Sequence, residues 1–305
     1  MFQHPQQTRR HGRSLRCWNT GERPRKLLVT NNMTNQTTTV GSSSRTPFKH
    51  WLLNSFIGKI IGAQSTRNTP CNDKFLVVDM CAGDGADVHG ERTSSPSIIR
   101  HHLSIPMKGK QVVYRRGIFF EKDQATCKRL SERHGDCPMM TIHHEDARNM
   151  PLSTVHGRGK DGILIYADPN NIDQLPITPE LMSGLSSTTL MLITLGCNVG
   201  GLKRIPYESR VKWIQMAEMV RRSISRWHDL ALITLNKDAS QWAYMVIIPR
   251  KWSAQYLDSA TKAGGKLWPA GVSTYSMQSI GSVAFMLRVV ELFQTTEENK
   301  TQKLS

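Results

Sequence analysis

Residues 74–87 read KFLVVDMCAGDGAD, and their pattern decides the fold. Phe75, Leu76, Val77 and Val78 form a short apolar run that changes abruptly to Asp79, Gly83, Asp84 and Gly85. A β-branched run bounded by glycines predicts a buried parallel strand ending in a loop. Glycines there let the backbone approach a neighbour closely, because no Cβ intervenes. In an open α/β sheet, ligands bind outside the carboxyl ends of strands, and this loop lies at such an end. A tight strand-to-helix turn with no ligand would use the same residue types.

Working outward, Thr46-Pro47 supplies an N-cap and a proline at the first helical position. Phe48, Leu52, Phe56 and Ile60 recur every fourth residue, joined by Trp51, Leu53, Ile57 and Ile61. This predicts an amphipathic helix of about four turns that packs on the sheet. Beyond the glycine loop, Pro96 opens a helix with Ile98, Ile99 and Leu103 on its inner face. Further strands are expected over 114–121, 139–143, 162–166, 189–195, 230–235 and 244–248. Asp123 caps a helix that Gly135 stops, and helices are also expected at 207–226 and 253–263. Gly264, Gly265 and Pro269 predict a loop, followed by an apolar stretch over 283–293.

Strands alternating with helices imply a parallel sheet with helices on both faces. Residues 236–243 are too few for a crossover helix, so the last two strands must pair as an antiparallel hairpin. The expected fold class is therefore α/β, with a seven-stranded Rossmann-like sheet of five parallel strands and a C-terminal antiparallel hairpin. The expected organisation is a disordered basic tail over 1–45, one α/β domain over 46–294 and a polar tail over 295–305.

Forty Lys/Arg against 24 Asp/Glu give a formal net charge of +16, which suits a polyanionic partner. The first 50 residues hold nine Lys/Arg against Glu22 alone, so +8 of that excess falls in a polar, aperiodic segment. Basic tails are often only solvated, and both readings stand. Six cysteines at irregular spacing, with no C-x-x-C, fit reduced thiols in a cytoplasm better than a disulfide framework. Cys127, His134, Cys137 and His143 match no common zinc module. No run approaches the ~18 apolar residues of a membrane span. The Arg-rich start lacks the apolar core of a secretory signal, and Met33 is an alternative start.

Five parallel strands plus an antiparallel hairpin resemble the class I, Rossmann-like S-adenosylmethionine-dependent methyltransferases, and FKHWLLNSF, VVDMCAGDG, SSPSII and FFEKDQATCKRL carry a narrower resemblance within that class. The resemblance covers roughly residues 75–248. Within that class it is nearest to the three-Cys-motif partner proteins of bacteria and phages. It implies S-adenosylmethionine as cofactor. The loop around Cys81, Ala82, Gly83 and Gly85 would meet the methionine part, with Asp79 beneath it accepting from amides or from the cofactor ammonium through water. Glu121, followed by Lys122, would accept both ribose hydroxyls, since a carboxylate offers two acceptor oxygens to a vicinal diol. Asp146, followed by Ala147, would accept from the adenine amino group. A helix cap or a solvated loop would employ each of these acids as well. Glu121 lies 36 residues beyond Gly85, against ~20 in a dinucleotide fold, which argues against NAD.

The fourth strand ends in Asp168-Pro169-Asn170-Asn171. In amino-methyltransferases acting on DNA bases, the matching site reads Asp or Asn, Pro, Pro and an aromatic. Its first side chain and the next carbonyl orient an exocyclic amine, and the aromatic stacks on a flipped base. Here Asn170 replaces the second proline and Asn171 the aromatic, so stacking would fall to Tyr166 or a loop aromatic. An Asp-Pro turn explains the same residues. Asn198, Lys203 and Arg204, after the fifth strand, are candidates to meet phosphates. The combined reading is a cytoplasmic S-adenosylmethionine-dependent methyltransferase acting on nucleic acid. The alternatives are a non-catalytic partner protein of a phage or bacterial defence system, and methyl transfer to a protein or small molecule.

Overall fold

The computed structural model describes residues 46–65, 75–86, 94–105, 115–155, 162–169, 172–175, 177–195, 207–235, 242–268 and 271–293. Asn170, Asn171, the 196–206 segment and both tails lie outside the described residues. Every described residue belongs to one compact unit.

The chain enters through α1 (Thr46–Ser65) and β1 (Phe75–Asp79). It continues through α2 (Ser95–Ser104), β2 (Arg115–Glu121), α3 (Gln124–His134), β3 (Met140–His144) and β4 (Gly162–Ala167). Then come α4 (Pro179–Ser183), β5 (Thr189–Leu195), α5 (Tyr207–Ser223), β6 (His228–Leu235) and β7 (Trp242–Pro249). The last elements are α6 (Arg250–Leu267), β8 (Val272–Ser276), α7 (Met277–Ile280) and α8 (Ser282–Phe293).

Among the described residues these strands form one sheet in the order β3-β2-β1-β4-β5-β7-β6-β8. β1 lies at the centre of its parallel half, with Val77 opposite Gly117 on one side and Leu164 on the other. The parallel strands β1 to β5 all end on one edge, which gathers Asp79, Glu121, His144, Ala167 and Leu195 there. β7 runs antiparallel to both β5 and β6.

Three expectations need correction. Among the described residues the sheet has eight strands rather than seven, so the β6–β7 hairpin does not end it: β8 follows α6 and pairs on β6. The eighth strand reads VSTYS, rich in side chains that fit a pleated surface. It pairs along β6, which would otherwise be an open edge. Gly264 and Gly265 belong to α6 and not to a loop. Gly264 is there for contact: a Cβ on it would stand 2.6 Å from Val272 Cγ2 and 3.3 Å from Trp51. Glycine lets α6 lie against β8 at this point.

Alternate strand residues face opposite sides of the sheet. Val77, Leu164, Leu192 and Val246 pack with α1, α2 and α6 through Phe48, Leu52, Phe56, Ile99 and Tyr256. Val78, Ile163, Ile165, Met191 and Met245 pack with α5 and α8 through Trp213, Ala217, Phe285 and Val289. Phe48 anchors the start of α1, its ring 5.1 Å from Trp268 and 5.7 Å from Tyr244. Each such burial contributes about 1.5–3 kcal/mol, so α1 is fixed by tertiary packing more than by helix propensity. Asp229 ties β6, α6 and α7 together. It is 1% exposed and accepts from the Ser253 and Ser276 hydroxyls and the Gln278 amide.

Candidate active site

The loop leaving β1 is tied to both neighbouring strands. The Met80 amide donates to the Tyr166 carbonyl (2.9 Å) and the Ala82 amide to the Phe120 carbonyl (3.1 Å). Gly83 and Gly85 both adopt positive φ, +63° and +66°. They differ in what surrounds them. A Cβ at Gly85 would meet His134 and Leu130 at 2.7 Å, whereas one at Gly83 would meet nothing within 4 Å. Gly85 is therefore a packing position, locked by its carbonyl accepting from Ser94 Oγ and facing His134 Nε2, each at 3.0 Å. Gly83 presents bare backbone to open space. Arg133 of α3 holds the loop from outside, pairing with Asp84 at 2.8 Å and donating to its carbonyl.

Asp79 supports the loop from beneath, with no exposed surface. Its Oδ1 accepts from the Cys81 amide (3.1 Å) and its Oδ2 from Ser95 Oγ (2.6 Å). Burial pushes its pKa up to about 7, while the Ser95 and Cys81 hydrogen bonds pull the other way. Both oxygens are thus engaged by the protein. Cys81 is partly exposed, and its thiol lies against the Asp168 backbone. Burial, with the charges of Asp79, Asp168 and Glu121, drives that thiol far above its usual range. It stays neutral, and a neutral thiol is a poor nucleophile.

Glu121 reaches back from the end of β2 to the same loop. Its Oε2 accepts from the Gly83 amide at 3.0 Å and its Oε1 from the Asp123 amide at 2.9 Å. Each carboxylate oxygen has a second lone pair, so both retain capacity for further donors. Lys122 is exposed, and its carbonyl faces His144 Nε2 at 3.2 Å, joining the ends of β2 and β3. Asp146 caps a short 3-10 turn, accepting from the Arg148 amide at 3.0 Å and pairing with the Arg148 guanidinium at 2.6 Å. That guanidinium holds the Asp146 carboxyl below the usual carboxylate range. Ala147 is buried in the apolar core.

Asp168 stands just beyond β4, one-fifth exposed, and forms an ion pair with Lys49 of α1. Pro169 beside it is partly exposed. Tyr166 is fully buried in the core shared with α1, so it does not present a face on which a base could stack. Asn198, Lys203 and Arg204 fall outside the described residues. Among the described residues no group of three or more His, Cys, Asp or Glu is placed to hold a metal ion.

Sequence reasoning missed Lys49, Ser95 and Arg148 as partners of these acids. Lys49 had a legible signal. It lies in helical register with Leu53, Phe56 and Ile60, so a cation interrupts a buried stripe.

No family model matches the chain, and no curated protein matches it. Among solved structures it is similar to protein LPL1258 of Legionella pneumophila, at 12% identity and a TM-score of 0.47, covering 74% of this chain and 94% of that one. It is similar to an rRNA methylase of Streptococcus thermophilus at 11% identity and a TM-score of 0.38, over 66% and 94% of the two chains. The fibrillarin pre-rRNA processing protein of Methanococcus jannaschii shows 11% identity and a TM-score of 0.37, over 60% and 70%. Likenesses this distant decide nothing about chemistry.

The sheet is more informative. Five parallel strands, with β7 inserted antiparallel between β5 and β6, carry the glycine loop after the central strand. The fold is an α/β, Rossmann-like sheet with helices on both faces. In that fold the space above Gly83 adjoins Glu121, and two strands along stands Asp168. The open glycine and the spare acceptor capacity of Glu121 fit a ligand bearing a diol and a polar tail, as S-adenosylmethionine does.

Proposed function

We propose that this chain is an S-adenosylmethionine-dependent methyltransferase whose acceptor is an amine on a nucleic-acid base. The observation that carries the proposal is the Glu121–Gly83 hydrogen bond, which sets an acid with free lone pairs beside bare, open backbone. On this reading the backbone over residues 80–85 receives the methionine part of the cofactor and Glu121 the ribose hydroxyls. Asp146, turning from Arg148, receives the adenine amino group. The bound cofactor supplies a methyl group made electrophilic by its sulfonium. Asp168 and the Pro169 carbonyl orient the acceptor amine, because methyl transfer depends on alignment more than on acid or base strength. The +16 formal charge supports a polyanionic substrate. Residues 46–294 form the working domain, the flanking segments are appendages, and the cytoplasm is the setting.

A second reading has support of its own. Asp168 is engaged by Lys49, and Asn170 and Asn171 replace the usual proline and aromatic. Both features suit a methyltransferase-like partner protein that has lost its chemistry, in line with the likeness to three-Cys-motif partner proteins. Tritiated methyl transfer to mixed DNA, RNA and protein pools separates the two. Wild type should label nucleic acid, and Asp168→Ala, matched for thermal stability, should label it ~100-fold less. Equal, measurable labelling by both would remove Asp168 from the acceptor site. No labelling by wild type favours the partner reading.

A further inference from the structure

Lys49 occupies the place that the proposed function gives to the substrate. Its ammonium bonds the Asp168 carboxylate, the group that would receive the N–H of an acceptor amine. The pairing is not an incidental surface contact. Lys49 is 12% exposed, on a helix whose neighbouring Phe48, Leu52 and Leu53 have no exposed surface, and it joins positions 119 residues apart.

An incoming neutral amine meets an unequal exchange here. Hydrogen bonds between ionised partners are roughly twice as strong as neutral ones. Displacing Lys49 would trade the stronger bond for the weaker and leave a largely buried ammonium without a partner, which is costly. The exchange becomes favourable when the acceptor itself brings an anion to the site. Lysine suits that role, being a compact point charge on a flexible four-carbon stem.

Resting on the methyltransferase reading, we propose that Lys49 selects phosphorylated acceptors. It covers Asp168 in the free protein and transfers its ammonium to a phosphate of the substrate, so that Asp168 becomes open to the base amine only then. Nucleotides and nucleic acid are thereby favoured over nucleosides and neutral amines with the same exocyclic group.

The test uses the full chain, saturated with S-adenosylhomocysteine, and compares AMP with adenosine and CMP with cytidine by calorimetry. Wild type should bind the better nucleotide at least ~10-fold more tightly than its nucleoside. Lys49→Met, which keeps the stem and removes the charge, should shrink that ratio by ~10-fold, through tighter nucleoside and weaker nucleotide binding. Lys49→Arg should keep most of the preference. An unchanged ratio in Lys49→Met, no nucleotide preference in wild type, or no binding of AMP or CMP at millimolar concentration each overturns the proposal. Titration of each protein with S-adenosylmethionine tells the two failures apart. Normal cofactor binding with an unchanged ratio removes only the role of Lys49, whereas absent cofactor binding in wild type removes the methyltransferase reading as well.

Discussion

Asp79 carries a carboxyl group with no exposed surface, held by one hydroxyl and one amide. Burial raises its folded pKa to about 7, above the ordinary carboxylate value. Between roughly pH 4 and that value, the folded chain keeps a proton that the unfolded chain has released. The contribution of Asp79 to stability is therefore full at acid pH and declines as pH rises towards neutrality. Asp79→Asn removes this titration. Urea unfolding at pH 5 and pH 8 should show the Asn variant gaining on wild type by about 1–3 kcal/mol at the higher pH. A constant difference at both values would mean that Asp79 ionises normally. At this scale the sequence was half legible. Asp79, Glu121 and Asp146 sit at strand ends, which pattern alone locates. Ser95 on Asp79, Arg148 on Asp146 and Lys49 on Asp168 were not legible as partners, because a side chain's choice among several nearby acids is made by tertiary placement. Arg148 is two residues from Asp146, yet only the 3-10 turn brings its guanidinium onto that carboxylate.

The elements themselves were read more fully than their ends. β5 runs Thr189–Leu195, as its apolar run predicts, and Asp123 caps α3 by accepting from the Thr126 amide at 2.8 Å. The failures came where glycine has two meanings. Gly264 and Gly265 look like a loop, but Gly264 permits the close approach of α6 to β8, and the strand hidden behind that misreading was missed. Gly264→Ala should lower the free energy of unfolding by about 1–3 kcal/mol, as expected when an extra methyl group is forced into a packed contact. Val272→Ala in the same chain should recover part of the loss, because Val272 Cγ2 is the atom met first. If the double variant is no more stable than Gly264→Ala, the penalty lies in the helix backbone and not in that contact.

Over the whole molecule, the alternation of strands and helices yields the layered α/β architecture, while the edge strand β8 depends on pairing that no local pattern announces. No helix among the described residues is long and apolar enough to cross a membrane. Charge acts at this scale too. If the proposed nucleic-acid substrate is right, binding should weaken as salt rises, since each phosphate contact releases counterions. A chain starting at Met33 loses seven Lys/Arg and Glu22. Its affinity for DNA and RNA, measured from 50 to 200 mM salt, should be lower and its salt dependence shallower than for the full chain. Identical slopes would exclude the first 32 residues from contact, and absence of binding at low salt would remove nucleic acid as the substrate class.

Calorimetric titration with S-adenosylmethionine tests the glycine loop as a cofactor site most directly. Wild type should bind with measurable heat, and folded Glu121→Ala should bind about 1.5–3 kcal/mol more weakly, the range for hydrogen bonds to a charged group. No detectable binding by wild type at millimolar cofactor would contradict the methyltransferase assignment.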